Sequence, residues 1–302
     1  MIGVLSHFVR VALRLPLPLA VIKILKKLGC NFFWLRKLDF YLSPDFKRPS
    51  KSSRILLTSS EEAGFEKNIM KEIVQDSVVM EIGCGKYFGL APFAFGSGAR
   101  CYYGVDPSLD LDFTNSNGLT TEYLTIAFQK AYHTPCHSNQ IAGEARESTG
   151  SKTIEEFFET CSFLKLGIDQ VQLEERVDVC FSISCLEHIQ NFHRAAAVIS
   201  NLSHSKTTHY HIVNFSNHLS KQQPFRELYE CPYEKFASKW NNNINGLRVS
   251  DMLDCFRKEN LNLHSITLDK SIELLPASID DYWLSRYSKE ELATRVAVLT
   301  NL

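Results

Sequence analysis

The chain has 302 residues, 44% of them hydrophobic, and a formal net charge of -1. Those values support one large globular domain with or without appendages, and they exclude a bulk electrostatic attraction to nucleic acid. The nine cysteines are odd in number and form no CxxC pair. They argue for reduced thiols in a cytoplasmic setting, without cysteine-held zinc, and no apolar run approaches the roughly 20 residues of a membrane-spanning helix.

In chain order, residues 1–60 read first as a basic and apolar extension. No acid precedes Asp39, while Arg10, Arg14, Lys23, Lys26, Lys27, Arg36 and Lys37 are interleaved with aliphatic residues. Four readings stand open: a membrane-surface helix making a peripheral contact through residues 1–38, a targeting peptide, a cover over a site, and a helix docked with its basic residues outward. Pro16 and Pro18 interrupt any helix there.

Phe65, Ile69, Ile73 and Val74 give helical spacing across 62–75. The apolar run Val78–Ile82 follows, the mark of a strand covered on both faces. Leu90–Phe95 reads as a helix ended by Gly96-Ser97-Gly98, and Arg100–Val105 as a second strand. Roughly 70 residues then separate Asp106 from the next clear strand, far more than a usual connection. Within them Leu119–Tyr132 and Thr153–Leu164 look helical and Ser138–Ser151 is a polar loop. We read 109–165 as part crossover and part inserted helical lid; a surface elaboration is the competing reading. Val177–Ile183 is a strand, Asn191–Leu202 a helix, His209–Phe215 a strand and Val249–Asn260 a helix. Leu263–Leu268 and Arg295–Leu299 are extended. The alternation specifies an α/β fold, a doubly wound and mostly parallel sheet with helices on both faces, over residues 61–302.

Gly83, Gly85 and Gly89 follow the first strand with the spacing GxGxxxG. Glycine lets backbone pass close to a ligand. A dinucleotide fingerprint would need its third glycine at Phe88, which speaks against a nicotinamide oxidoreductase. Asp106 stands at the end of the second strand, where a carboxylate can accept from both hydroxyls of a ribose. Glu81 can orient the turn or meet a cationic amino group. A purely structural strand-turn-helix is the alternative.

The segments VVMEIGCG, GVDPS and VDVCFSISCLEHI resemble the class I, seven-strand S-adenosylmethionine-dependent methyltransferases, over roughly Ile69–Leu302. The resemblance implies a seven-stranded sheet whose last two strands pair antiparallel. It implies that Glu81, Gly83, Cys84, Gly85 and Gly89 border the methionine part of the cofactor. Asp106 and Pro107 would meet its ribose, Asp169 its adenine amino group, and Ser184 the reacting end. The LEHI segment is frequent among small-molecule enzymes of this kind. An N-P-P-[YF] motif, associated with amino groups of nucleic acid or glutamine, is absent.

Ligands of open α/β sheets lie at the carboxyl ends of the strands, which puts Ser184–His188 beside the acceptor. His188 could take a hydroxyl proton, and Glu187 could orient it or cap the following helix by its charge. His211 and His218 could reach the pocket from the fifth strand; strand alternation puts His209 and His211 on one face. His211-x-x-Asn214-x-x-x-His218 resembles an H-x-x-D-x-x-x-H pattern of methyltransferases from polysaccharide and natural-product clusters. Asn214 replaces the acid, so no metal is expected. Arg248 is either an anchor for an acidic acceptor or a surface residue. The expected activity is methyl transfer to a small molecule, to oxygen on a sugar, glycan or secondary metabolite, or else to a small amine. A non-catalytic cofactor-binding module of the same fold is the rival from another class.

Overall fold

The computed structural model describes residues 51–111, 123–124, 127, 154–220, 222–240 and 243–302. The readings for residues 1–50 and for the loop at 138–151 lie outside them, as does most of the 119–132 helix and of the lid. Tyr123, Leu124 and Ala127 are helical and buried.

Seven strands form one sheet: β1 (Val78–Ile82), β2 (Cys101–Val105), β3 (Cys161–Leu164), β4 (Val177–Ile183), β5 (Ser203–Asn214), β6 (His264–Lys270) and β7 (Thr294–Thr300). Their order is β3-β2-β1-β4-β5-β7-β6. The first five run parallel, and β7 enters antiparallel between β5 and β6. From β1 the chain proceeds to one side through β2 and β3, then crosses to β4 on the other. That reversal leaves a crevice above the carboxyl ends of β1 and β4.

The apolar run of β1 is explained by two cores. Val79 packs with Leu56, Met70, Val74, Phe93, Tyr102, Phe181 and Tyr210 on one face. Val78, Met80 and Ile82 pack with Cys180, Ile199, Val213, Met252 and Phe256 on the other. Every residue of β1 is buried. A smaller apolar cluster around Phe225, Tyr229, Trp283 and Phe236 of α6 (Tyr233–Trp240) lies beyond β5.

Two expected elements differ in extent. The helix expected over 62–75 is the shorter α2 (Ile69–Val74), and a separate helix, α1 (Lys51–Glu62), precedes it. α1 runs across position 60, where composition had placed the start of the domain, and it buries Leu56 in the core. The expected helix at Thr153–Leu164 is α4 (Ile154–Thr160), and Cys161–Leu164 becomes the edge strand β3 on β2. The free edge of β2 offers backbone partners that local spacing does not reveal. The last two strands pair as expected, with two short helices, Asp281–Leu284 and Lys289–Leu292, between them.

Candidate functional site

The turn after β1 is organised by Glu81. Its side chain is 1% exposed, and Oε2 accepts the Leu90 N–H at 2.6 Å and the Tyr102 hydroxyl. Burial pushes the carboxyl up to about 7, against the lowering effect of those two bonds. Glu81 thus ties β1 to β2 and to α3 (Ala91–Gly96). A side chain at Gly89 would collide with Glu81 Oε2. The third fingerprint position, Phe88, holds the left-handed conformation usually left to glycine, at φ +61°. Its ring packs on Tyr123, Phe157, Phe158 and Phe163, and that contact offsets the backbone cost.

Two hollows flank the turn. One, of about 500 Å³, is lined by Gly83, Gly85, Asp106, Pro107, Asp169, Ser184 and His188, with Ile82, Val105, Leu166, Ile168 and Ile189 as apolar walls. The other, of about 280 Å³, is lined by Glu81, Gly83, Cys84, Gly85, Gly89 and Ser184, with Lys51, Ser52, Lys86 and Tyr87. The two share Gly83, Gly85 and Ser184. Gly85, at φ +72°, has open space where a side chain would project. Every expected cofactor residue borders one hollow or both.

Asp106 is already engaged. Oδ2 accepts the Gly85 N–H at 2.8 Å, while Oδ1 accepts the Ser108 N–H at 2.7 Å and the Ser108 hydroxyl at 2.5 Å. Oδ2 keeps one acceptor position, and Oδ1 gains one when the Ser108 hydroxyl turns away. Asp169 lies at the rim, in the short turn Ile168–Gln170 after β3, with Arg194 Nε 3.8 Å from Oδ2.

At the end of β4 the chain turns sharply. Ser184 is exposed at φ +47°, and Leu186–His188 forms one turn of 3-10 helix. The turn is held by Asn245, whose N–H donates to the Glu187 carbonyl at 2.7 Å and whose Nδ2 donates to the Leu186 and Ile189 carbonyls. Glu187 does not cap the helix that follows, α5 (Phe192–Leu202); Asn191 does, accepting from the Arg194 N–H. Glu187 is 2% exposed, and burial pushes its carboxyl up to about 8. His188 is exposed at the crevice, with Nδ1 2.6 Å from the Asn243 carbonyl. His218 stands beside both, Nε2 3.7 Å from Glu187 Oε1. Burial pushes the His218 imidazole down while it pushes Glu187 up.

Two further expectations are corrected. His211, expected to reach the pocket from β5 as a candidate catalytic residue, has its side chain fully buried under α7 (Val249–Lys258), stacked on Phe256 and bonded to Ser182 and His209. It borders neither hollow, because the strand alternation that pairs it with His209 turns both into the core. Arg248 is neither a surface residue nor an anchor at the crevice. It is 2% exposed, donates to the Phe215 carbonyl and the Tyr229 hydroxyl, and lies against the rings of Phe215, Tyr229 and Trp283.

Sequence reading overlooked Lys51, Ser52, Lys86, Leu166 and Ile189 as lining residues. Lys86 and Ile189 adjoin recognised motifs and were within reach. Lys51 and Ser52 come from a helix remote in sequence, and only the fold brings them near.

No protein-family model and no curated protein sequence matches the chain. Among solved structures, the chain is similar to an S-adenosylmethionine-dependent methyltransferase from Mesorhizobium loti, at 12% identity and a TM-score of 0.42, over 78% of this chain and 96% of that one. It is also similar to a TehB-like SAM-dependent methyltransferase from Corynebacterium glutamicum, at 12% identity and a TM-score of 0.38, over 83% of this chain and 97% of that one.

Proposed function

We propose that the chain is an S-adenosylmethionine-dependent methyltransferase acting on a small molecule, at oxygen of a sugar, glycan or secondary metabolite. One observation carries this reading: Gly85, Asp106, Asp169, Ser184 and His188 converge on a single crevice at the point where strand order reverses.

The lining suits such a cofactor in three parts. Ile82, Val105, Leu166, Ile168 and Ile189 offer apolar walls to a purine, with Asp169 at the rim for its amino group. Asp106 has acceptor capacity for ribose hydroxyls. Lys51, Ser52 and Lys86 supply cationic and hydroxyl groups to the second hollow, which suits the carboxylate of an amino-acid tail. When bound, the cofactor supplies a methyl carbon made electrophilic by a sulfonium. The chain's own work is then to align the acceptor, and alignment alone is worth several kcal/mol. His188 is the group we assign to the acceptor hydroxyl. The Asn243 carbonyl can only accept, so His188 Nδ1 carries the proton and Nε2 keeps its lone pair for the acceptor's proton.

Reduced thiols fit a cytoplasmic enzyme, and Cys84, Cys101, Cys161, Cys180, Cys185, Cys231 and Cys255 are free. Among the described residues no helix is long and apolar enough to cross a membrane. Calorimetric titration with S-adenosylhomocysteine tests the cofactor; binding is expected, and NAD should not compete. Isotopically labelled methyl donor in a cell extract, followed by mass spectrometry, tests turnover. Binding without any labelled product would favour the non-catalytic module, and a labelled amine would move the acceptor atom to nitrogen.

A further inference from the structure

Glu187 is buried, yet its Oε2 has no hydrogen-bond partner among the described residues. Oε1 is reached by the Asn214 N–H only at a long 3.4 Å. A carboxyl removed from water normally has its oxygens satisfied. Two imidazoles stand next to it. The His188 and His218 rings lie 4.9 Å apart at 89° to each other, and one donor atom from each of the three residues falls within 4.8 Å of the others.

The surroundings hold these donors ready. The Asn243 carbonyl fixes the His188 tautomer and leaves Nε2 as a free ligand atom, the arrangement that outer partners impose on metal-bound histidines. His218 is held at φ +56°, and of its two nitrogens Nε2 makes a long hydrogen bond, at 3.3 Å, to the Asn214 carbonyl, which an ion would replace. Strained backbone of this kind gathers at ligand clamps.

We propose that Glu187, His188 and His218 bind one divalent first-row transition ion. One carboxylate with two imidazoles is a donor set suited to zinc, iron or manganese rather than to calcium or magnesium, which want oxygen. Three protein ligands leave at least one position open. His188 borders the crevice, so an acceptor oxygen fits that position. This last point rests on the methyl-transfer reading; the ion site itself does not. His188 Nε2 cannot hold an ion and accept a proton together, so in the ion-loaded chain the ion takes over the activation of the acceptor. A second cluster, Cys180, His209 and His211, also gathers donors. It lacks a carboxylate, and the nitrogens of both its histidines are engaged with Ser182, Ser203 and each other.

The test is titration of the dialysed full-length chain with Co²⁺ alone, read by visible d–d absorption and by calorimetry. One ion per chain is expected, displaced by Zn²⁺. His188→Ala and His218→Ala, at exposed positions, should each weaken Co²⁺ by about tenfold or more. Circular dichroism reports whether the variants fold. On the wild-type chain, Co²⁺ should also shield His188 and His218 from diethyl pyrocarbonate while leaving the exposed His264 reactive. Absence of Co²⁺ bands, bands unchanged in the double variant, or no shielding of these two histidines would each overturn the site. Loss of S-adenosylhomocysteine binding would instead sink the methyl-transfer reading and leave the ion untouched.

Discussion

His209 and His211 on β5 can be set against His188 and His218 at the mouth of the crevice. The first pair is sealed in the core: Ser203 contacts His209 Nε2 at 3.3 Å, His209 Nδ1 meets His211 Nε2 at 3.4 Å, and Ser182 contacts His211 Nδ1 at 3.0 Å. With every nitrogen engaged, the pair acts as a structural seam between sheet and α7. In the second pair His188 is exposed and His218 has a half-buried ring, and both border a buried carboxyl with an orphaned oxygen. The same side chain is therefore fully engaged in packing in one place and left with unengaged nitrogen at the crevice in the other, and the difference lies in burial and in the number of partners left over.

The sharpest way to break this comparison is His188→Ala. Turnover should fall by about 10²–10⁴, the range for losing a proton-transfer group. Affinity for S-adenosylhomocysteine and stability should change by less than about 1 kcal/mol, since the residue is exposed. Wild-type turnover would move the acceptor chemistry elsewhere. The mirror experiment is His211→Ala. Urea unfolding should show a loss of about 2–4 kcal/mol, from the cavity under Phe256 and the orphaned Ser182 hydroxyl. Cofactor affinity in the folded variant should be unchanged; a selective loss of affinity would put His211 back at the site.

The core pair should also leave its mark on stability against pH. Burial holds His209 at about 4 in the folded chain, below its ordinary 6.5. The unfolded chain binds more protons in that interval. Stability is therefore full above about 6.5 and declines as pH falls toward 4, by on the order of 2–3 kcal/mol. Glu81 contributes the opposite slope. Its raised carboxyl stabilises the folded state below 4.5, and that contribution is lost as pH rises through about 7. Comparing wild type with His209→Gln across pH 4–7 isolates the histidine; identical slopes would contradict its burial as a neutral group. The smallest effect is expected from Asp106→Ala, a loss of about 1–3 kcal/mol in S-adenosylhomocysteine affinity by calorimetry. Unchanged affinity would remove Asp106 from the crevice.

Much of the first half of the site was legible because its signals are local. β1, the glycine turn and Asp106 lie within about thirty residues, and the turn chemistry is written in glycines and one acid. Even the failed fingerprint position was informative: Phe88 takes the glycine-like conformation because aromatic rings distant in sequence enclose it. The acceptor half was half-read. Glu187 and His188 stood out as a motif, and His218 as a second cluster, but nothing in the spacing joined them.

From its sequence alone, this chain declares an alternating α/β sheet, the glycine turn after β1 and the histidines worth attention, because periodicity and turn residues act over a few positions. Which histidine faces the crevice and which the core was decided by tertiary structure. So were the conversion of 161–164 into an edge strand, the burial of Arg248 among aromatic rings, and the arrival of Lys51 at the hollow that Lys86 also lines. Those outcomes depend on which surfaces are left unpaired once the sheet has assembled, and that is settled by contacts between distant segments.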